Sequence, residues 1–200
     1  MKRLLDFTVS LVALYVLTLP MLAIALWIKL DSPGPVLFRQ VRVRRWGNLF
    51  HIWKFRTMVA DAPARGPAVT AADDRRITRA GRFLRATKLD ELPQLVNVLL
   101  GQMSLVGPRP EVPQYVALYP PELREQVLSV RPGLTDPVSL AYADEAQRLA
   151  AAADPEREYR EVILPAKLQA AAAYVARASL WADLGVLLRT AARALTGRLR

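Results

Sequence analysis

The chain has 200 residues, with 28 Lys and Arg against 18 Asp and Glu for a net charge of +10, a single histidine and no cysteine. Disulfides, thiolate metal sites, cysteine nucleophiles and histidine-rich zinc sites are thereby excluded, and His51 reads as structural because nothing around it suggests a Ser-His-Asp arrangement. The size allows one domain, and the excess positive charge implies an anionic partner: nucleic acid, a membrane surface or a phosphorylated substrate.

From Phe7 to Ile28 no residue is charged, and Pro20 sits in the middle. A bilayer-spanning helix needs about 20 apolar residues, so the length fits a crossing. The flanks do not fit one. Lys2 and Arg3 precede the segment and Lys29, Arg39, Arg42, Arg44 and Arg45 follow it, and Lys/Arg-rich flanks stay on the cytoplasmic side. A helix that enters, breaks at Pro20 and returns satisfies both ends, because proline lacks the amide donor and clashes with the preceding turn. We expect a re-entrant membrane hairpin over residues 1–32, ahead of a spanning helix kinked at Pro20. A cleaved signal peptide fits poorly, since the apolar run is too long and no small-x-small site follows it. With many of the cations close behind this segment or in the final helix, a membrane is favoured over nucleic acid.

Residues 33–140 are expected to carry the chemistry. Val36 to Phe38 and Leu49 to Phe55 flank the turn signal Trp46-Gly47-Asn48, which predicts a short β-hairpin ending in Lys54-Phe55-Arg56-Thr57-Met58. Ala62 to Asp74 reads as a Pro/Gly/Ala-rich loop, either a plain surface loop or a mobile lid. A basic helix is predicted from Ile77 to Ala86. Asp90-Glu91-Leu92-Pro93-Gln94-Leu95 then opens a second helix to about Leu100, closed by Gly101. Asp90 is a capping carboxylate on spacing alone. Neighbours on a helix point about 100° apart, so Asp90 and Glu91 also suit divided roles. One would attack phosphorus or hold Mg²⁺ while the other orients a group or the metal, with Arg85 one turn upstream for phosphates.

Ser104-Leu105-Val106-Gly107-Pro108-Arg109-Pro110 forces a rigid irregular backbone around one arginine, which suits a diphosphate as well as a structural turn. Arg131-Pro132-Gly133-Leu134-Thr135 repeats the pattern of rigid loop plus arginine. Taken in order, the apolar segment with Pro20, the 54–58, 89–95 and 104–110 stretches and the 131–135 loop resemble the monotopic phosphoglycosyl transferases, or bacterial sugar transferases, over nearly the whole chain.

That resemblance implies transfer of a sugar 1-phosphate from a UDP-sugar to a polyprenol phosphate, usually undecaprenyl phosphate, with release of UMP. It implies a re-entrant helix, Mg²⁺ and an Asp-Glu dyad whose aspartate carries a covalent phosphosugar. Asp90 and Glu91 match the dyad and are the candidate catalytic and metal-holding residues. Lys54, Arg85 and Arg109 match the basic residues around the diphosphate, and Arg56 and Arg131 join them as substrate-binding candidates. Two departures stand out. Leu19 precedes the helix-breaking Pro20 where many members carry serine, and Thr18 is the neighbour able to offer a hydroxyl. After Thr135 the chain reads Asp136-Pro137-Val138-Ser139 where many members carry glycine and a Trp-Gln or Ala-Gln stretch, so the donor sugar is not inferred.

Residues 141–200 are rich in Ala, Leu, Arg and Glu and read as helices broken near Asp154-Pro155 and Leu164-Pro165. In the last helix Leu180, Trp181, Leu184, Leu187, Leu188, Ala191 and Leu195 recur at helical spacing, with Arg189, Arg193, Arg198 and Arg200 adding charge. It packs on the core, lies in the membrane interface, or does both. The expected fold is α+β and mostly helical. A membrane-tethered nucleic-acid binder lacks a reader helix or stacking platform, and a scaffold would have no use for the intact acidic and basic set. The expected place is the cytoplasmic face of a bacterial inner membrane with its anionic lipids, and a homodimer is left open.

Overall fold

The computed structural model describes residues 1–65, 74–138 and 145–195. Its first element, α1 (Lys2–Asp31), is a single helix with Pro20 inside it, so the predicted separation into two helices at Pro20 does not occur in the secondary structure. The reason lies in packing. Leu5, Ala13, Leu14 and Leu17 sit against the main core, while Met21, Ile24, Ala25 and the buried Ile28 sit against a second cluster with Phe55 and Leu84. Helical spacing brings these positions onto one stripe, and both sides of Pro20 are held by the same folded body. Thr18 Oγ1 donates to Leu14 O at 2.7 Å, not to Val16 O, the carbonyl that Pro20 cannot serve.

Polar contacts fasten both ends of α1. Arg3 donates to Val98 O at 2.5 Å and Leu99 O at 2.7 Å, and the buried Asp6 accepts from Ser104 Oγ at 3.1 Å and Leu105 N at 3.0 Å. At the other end Asp31 accepts from Ala80 N at 3.0 Å. The outward side leaves Leu4, Val12, Tyr15, Leu19, Leu26 and Leu30 exposed.

β1 (Leu37–Val43) and β2 (Leu49–Phe55) form the predicted antiparallel hairpin, with Leu37 opposite Phe55 and Val43 opposite Leu49. Strand β1 runs five residues beyond the predicted Phe38. Arg39 hid this in the apolar pattern, yet it lies over the Trp53 ring at 4.4 Å. The turn puts Trp46 and Gly47 at φ 62° and 78°.

After β2 comes the short α2 (Ala62–Arg65). Most of the predicted loop, residues 66–73, lies outside the described residues, and the lid expectation with it. α3 (Arg79–Thr87) begins at the cap Thr78, whose hydroxyl accepts from Gly81 N at 3.0 Å, and ends at Lys88 with φ 59°. A tight 3-10 turn, Leu89–Glu91, leads into α4 (Gln94–Leu99), and Gly101 at φ 73° follows. The predicted helix from Asp90 therefore starts four residues later. Pro93 occupies its cap position, and the side chain of Asp90 caps nothing.

β3 (Ser104–Val106), α5 (Pro113–Val116), α6 (Pro121–Leu128) and β4 (Gly133–Thr135) follow. β3 and β4 pair in parallel through Ser104–Gly133 and Val106–Thr135. Here Gly133 is required by space, since a Cβ on it would stand 2.1 Å from Gly107 N. α7 (Glu145–Ala151) and α8 (Pro155–Glu158) come next, the latter capped by Asp154 through Arg157 N at 3.0 Å. A break at Leu164-Pro165 was expected, but a π-helical turn, Tyr159–Ile163, runs straight into α9 (Leu164–Ala176). Pro165 comes directly after the π-turn, whose wider winding already interrupts the i→i−4 bonding that a proline cannot continue.

α10 (Leu180–Leu195) closes the described chain. Val186 completes a core with Phe50 and Ile52 of β2, Leu95 and Val98 of α4, and Met103, Leu105 and Val106 around β3. Leu187 packs beside it, whereas Trp181 and Leu188 face outward, so this helix both packs on the core and keeps an exposed apolar side. Arg198 and Arg200 lie outside the described residues. The result is the expected α+β chain, mostly helical, with two small sheets among the described residues.

Candidate active site

The site grows from four short pieces. β2 ends at Lys54-Phe55 and delivers the Lys54 ammonium, which donates to Glu91 Oε1 at 2.7 Å. The rigid turn after β3 delivers Arg109, whose guanidinium reaches the same oxygen at 3.2 Å. Burial alone would raise the Glu91 pKa, but Lys54 and Arg109 overcome it and hold the carboxyl well below its ordinary range. In return Glu91 raises Arg109, while burial pushes Lys54 down against the pull of Glu91.

Asp90, next door on the 3-10 turn, is in the opposite condition. It is 7% exposed, and its Oδ1 is buried without a hydrogen-bond partner. Burial raises its pKa first, Lys54 pulls it back, and the like charge of Glu91 adds to the rise. A buried carboxylate oxygen with nothing to accept from carries a desolvation penalty of about 1–3 kcal/mol that folding alone has no reason to retain.

α3 supplies the next cation. Arg85 Nε donates to Thr57 Oγ1 at 3.0 Å, and burial lowers its pKa against the opposing charges of Asp90 and Asp74. Thr57 is held in turn by close approach to α3. Its carbonyl accepts from Thr78 N at 3.0 Å, and a Cβ on Gly81 would stand 2.0 Å from the same oxygen.

Of the predicted site residues, the structure thus gathers Asp90, Glu91, Lys54, Arg85 and Arg109. It takes Arg56 and Arg131 elsewhere. Arg56, 5% exposed, donates to the carbonyls of Ser32, Pro33 and Pro35 and to Ser32 Oγ, so it closes the end of α1 onto β2. Arg131 donates to Gly101 O at 2.9 Å and lines a separate cavity. The 131–135 loop still serves the site through its backbone, because β4 and the Gly107–Gly133 contact brace the turn that carries Arg109.

Sequence reasoning missed Thr57, Gln94 and the brace behind Pro110. Gln94 is 2% exposed and its Nε2 has no partner, and the available signal was its position one turn after Asp90. Behind the Arg109 turn, Arg42 donates to Pro110 O at 3.0 Å and lies 3.6 Å from Glu111, which accepts from Tyr159 OH at 2.8 Å. No local pattern links positions 42, 111 and 159. The departure at Asp136 also finds a use, since this buried carboxylate contributes to raising the pKa of Arg109.

Among the described residues no cluster of three or more acidic, histidine or cysteine side chains is assembled. Mg²⁺ does not need one. It is commonly held through one or two carboxylates together with substrate phosphates, and the unpartnered Asp90 oxygen beside Glu91 fits that pattern.

Two acidic groups, one neutralised and one left open, ringed by three cations, make a site for an anionic phosphoryl group. The chain belongs to the bacterial sugar transferase family, whose model matches residues 1–197. Over 198 residues, 98% of this chain, it is 36% identical to the UDP-N-acetylgalactosamine-undecaprenyl-phosphate N-acetylgalactosaminephosphotransferase of Aeromonas hydrophila, covering 44% of that protein. It is 41% identical, again across 98% of its length, to the UDP-glucose:undecaprenyl-phosphate glucose-1-phosphate transferase of Caulobacter vibrioides, covering 70% of it. With an exopolysaccharide production protein of Rhizobium leguminosarum bv. phaseoli it shares 54% identity over 110 residues, 54% of this chain and 55% of the other. The chain thus spans from less than half to about two thirds of the length of these relatives.

Proposed function

We propose that this chain is a phosphoglycosyl transferase that moves a sugar 1-phosphate from a UDP-sugar onto undecaprenyl phosphate. The observation that carries the reading is the contrast inside the dyad. Asp90 has an oxygen that nothing in the fold satisfies, beside a Glu91 already fixed by Lys54 and Arg109.

In the first step an Asp90 carboxylate oxygen bonds to the sugar-bearing phosphorus of the donor. The bond from that phosphorus to the bridging oxygen breaks, and UMP leaves with the electron pair. In the second step an oxygen of the lipid phosphate attacks the same phosphorus, and the bond to Asp90 breaks to restore the carboxylate. Arg85 and Arg109 neutralise phosphate oxygens during each displacement, and Glu91 keeps Lys54 and Arg109 in place. Mg²⁺, held by Asp90 and Glu91 with the donor phosphates, would supply further neutralisation of the diphosphate. Donor and acceptor use one centre in turn, which gives ping-pong kinetics.

We place α1 in one leaflet at the cytoplasmic face of a bacterial inner membrane. This placement is supported by contacts with the folded body along the helix from Leu5 to Ile28, which favour both ends on the same side of a bilayer, and by its exposed apolar outer side. The surrounding anionic lipids would meet the basic flanks.

The test is UMP release from a panel of UDP-sugars with and without undecaprenyl phosphate and Mg²⁺. Because the names of the relatives divide between glucose and N-acetylgalactosamine, both sugars belong in the panel. Release that needs Asp90 is expected; undiminished release by a folded Asp90→Asn protein rejects the assignment.

A further inference from the structure

A cavity of about 360 Å³ lies at the start of α1, with none of the Asp90–Glu91 centre in its lining. Four cations line it: Lys2, Arg3, Arg45 and Arg131. Two carboxylates, Asp6 and Asp183, line it as well, and both are already engaged. Asp6 accepts from Ser104 Oγ and Leu105 N, and Asp183 accepts from Lys2 and the Tyr174 hydroxyl.

The arginines are in a different state. Arg45 Nε donates to Ser129 O at 2.6 Å and its guanidinium lies 4.1 Å over the Trp46 ring, while Arg131 Nε donates to Gly101 O at 2.9 Å. In each case a backbone carbonyl fixes the stem of the fork, and neither has a carboxylate partner among the described residues. Two oriented forks with spare N–H donors, in a cavity where cations outnumber carboxylates, match the planar multi-donor recognition of a phosphate group. Position adds the source. The cavity opens beside the first residues of the apolar α1, and its lining residues Arg3 and Leu180 adjoin Leu4 and Trp181, which are 71% and 81% exposed. Tryptophan and basic residues are what a bilayer collects at headgroup depth, and basic pockets beside membrane helices take lipid phosphates.

We propose that this cavity is a second phosphate site, distinct from the Asp90–Glu91 centre, which holds the phosphate of an anionic membrane lipid and so fixes the start of α1 at headgroup depth. The shared chemistry is the phosphate group, and the experiment separates a lipid-borne phosphate from a free one.

The full chain is reconstituted in nanodiscs of phosphatidylcholine with a rising fraction of phosphatidylglycerol, and retained phosphatidylglycerol is counted by native mass spectrometry. Arg45→Gln and Arg131→Gln are compared with Arg189→Gln, which removes the same charge from the exposed side of α10. Each cavity variant should weaken retention about tenfold, as expected for losing a charge-assisted fork, and Arg189→Gln should barely change it. Asp90→Asn should retain lipid like the unaltered chain, so a failure of the transferase reading leaves this site standing. Loss of retention on adding inorganic phosphate would show that the site accepts free phosphate too; no competition would assign it to lipid. If Arg131→Gln fails to fold, Arg45→Gln decides. Retention by the folded cavity variants equal to that of Arg189→Gln overturns the proposal.

Discussion

Two buried acidic clusters in this chain look alike in composition and differ in completeness. At the start of α1, Asp6 and Asp183 are each satisfied by two donors, and both join α1 to the body, Asp6 through β3 and Asp183 through α10. At the 3-10 turn, Glu91 is satisfied by two cations while Asp90 keeps a buried oxygen without a partner. Cations, carboxylates and burial are present in both places. A satisfied cluster fastens elements together, whereas an unsatisfied atom held in place by satisfied neighbours is available to a substrate.

The sharpest way to break the comparison is to remove one carboxylate charge from each cluster. Asp90→Asn should lower UMP release by about 10³-fold or more, since the proposed attacking group is gone, while the melting temperature stays level or rises because the orphaned charge is removed. Asp183→Asn should do the reverse. It weakens bonds to Lys2 and Tyr174 and loses roughly 2 kcal/mol of stability, read as a lower Tm, with UMP release per folded molecule largely kept. Equal stability losses in both variants would erase the distinction.

Glu91→Gln comes next, because it should fail on both counts. Lys54 and Arg109 lose their counter-charge in a largely buried setting, so stability should fall by about 3 kcal/mol in denaturant unfolding, and turnover should fall with it as the two cations lose their positions. A variant with full Tm and full turnover would leave Glu91 without a role.

A smaller effect is expected from pH, with opposite signs for the two neighbours. The folded pKa of Asp90 is raised, so its contribution to stability is fully present below the unfolded value of about 3.9 and is lost as pH rises through the folded value. The Glu91 value is depressed, so its contribution is present above about 4.3 and disappears only as pH falls through the folded value. The proposed attack requires ionised Asp90. UMP release should therefore decline on the acid side at a pH above the ordinary aspartate range, and the Tm difference between the unaltered chain and Asp90→Asn should shift in favour of the unaltered chain as pH falls. A flat difference from pH 4 to 8 would contradict the raised value.

The same contrast shows what the sequence could reveal. Asp90 and Glu91 drew notice as adjacent carboxylates opening a predicted helix and Arg109 as the arginine of a rigid turn, whereas Lys54 at the end of β2 and Arg85 in the last turn of α3 came chiefly from the family resemblance; the β-hairpin was legible from its turn signal. What was not legible depended on distant contacts. Pro20 reads as a break because basic flanks at both ends ask for the same side and proline lacks an amide donor; in the fold, the clusters around Val98 and around Phe55 hold α1 on either side. Arg56 and Arg131 carry the same charge as Arg109, and only the carbonyls of Ser32, Pro35 and Gly101 separate them from it. An arginine's sequence neighbours say that it is held rigidly, not what holds it.

Thr57 gives the finest test of that point, because it touches the proposed chemistry only through another residue. Its hydroxyl accepts from Arg85 Nε, and its carbonyl is pressed against the first turn of α3 at Gly81. Thr57→Val keeps the β-branched outline and removes the acceptor, so the Arg85 fork loses one fixed point while the packing between β2 and α3 survives. If Thr57 positions Arg85 for phosphate, kcat/KM should fall by about tenfold, the worth of one hydrogen bond to a charged group, and Thr57→Ser should restore most of it. Tm should change little in either variant. Full activity in the valine variant with a loss in the serine variant would mean that Thr57 acts through packing of its methyl group, and Arg85 would then owe its orientation to α3 alone.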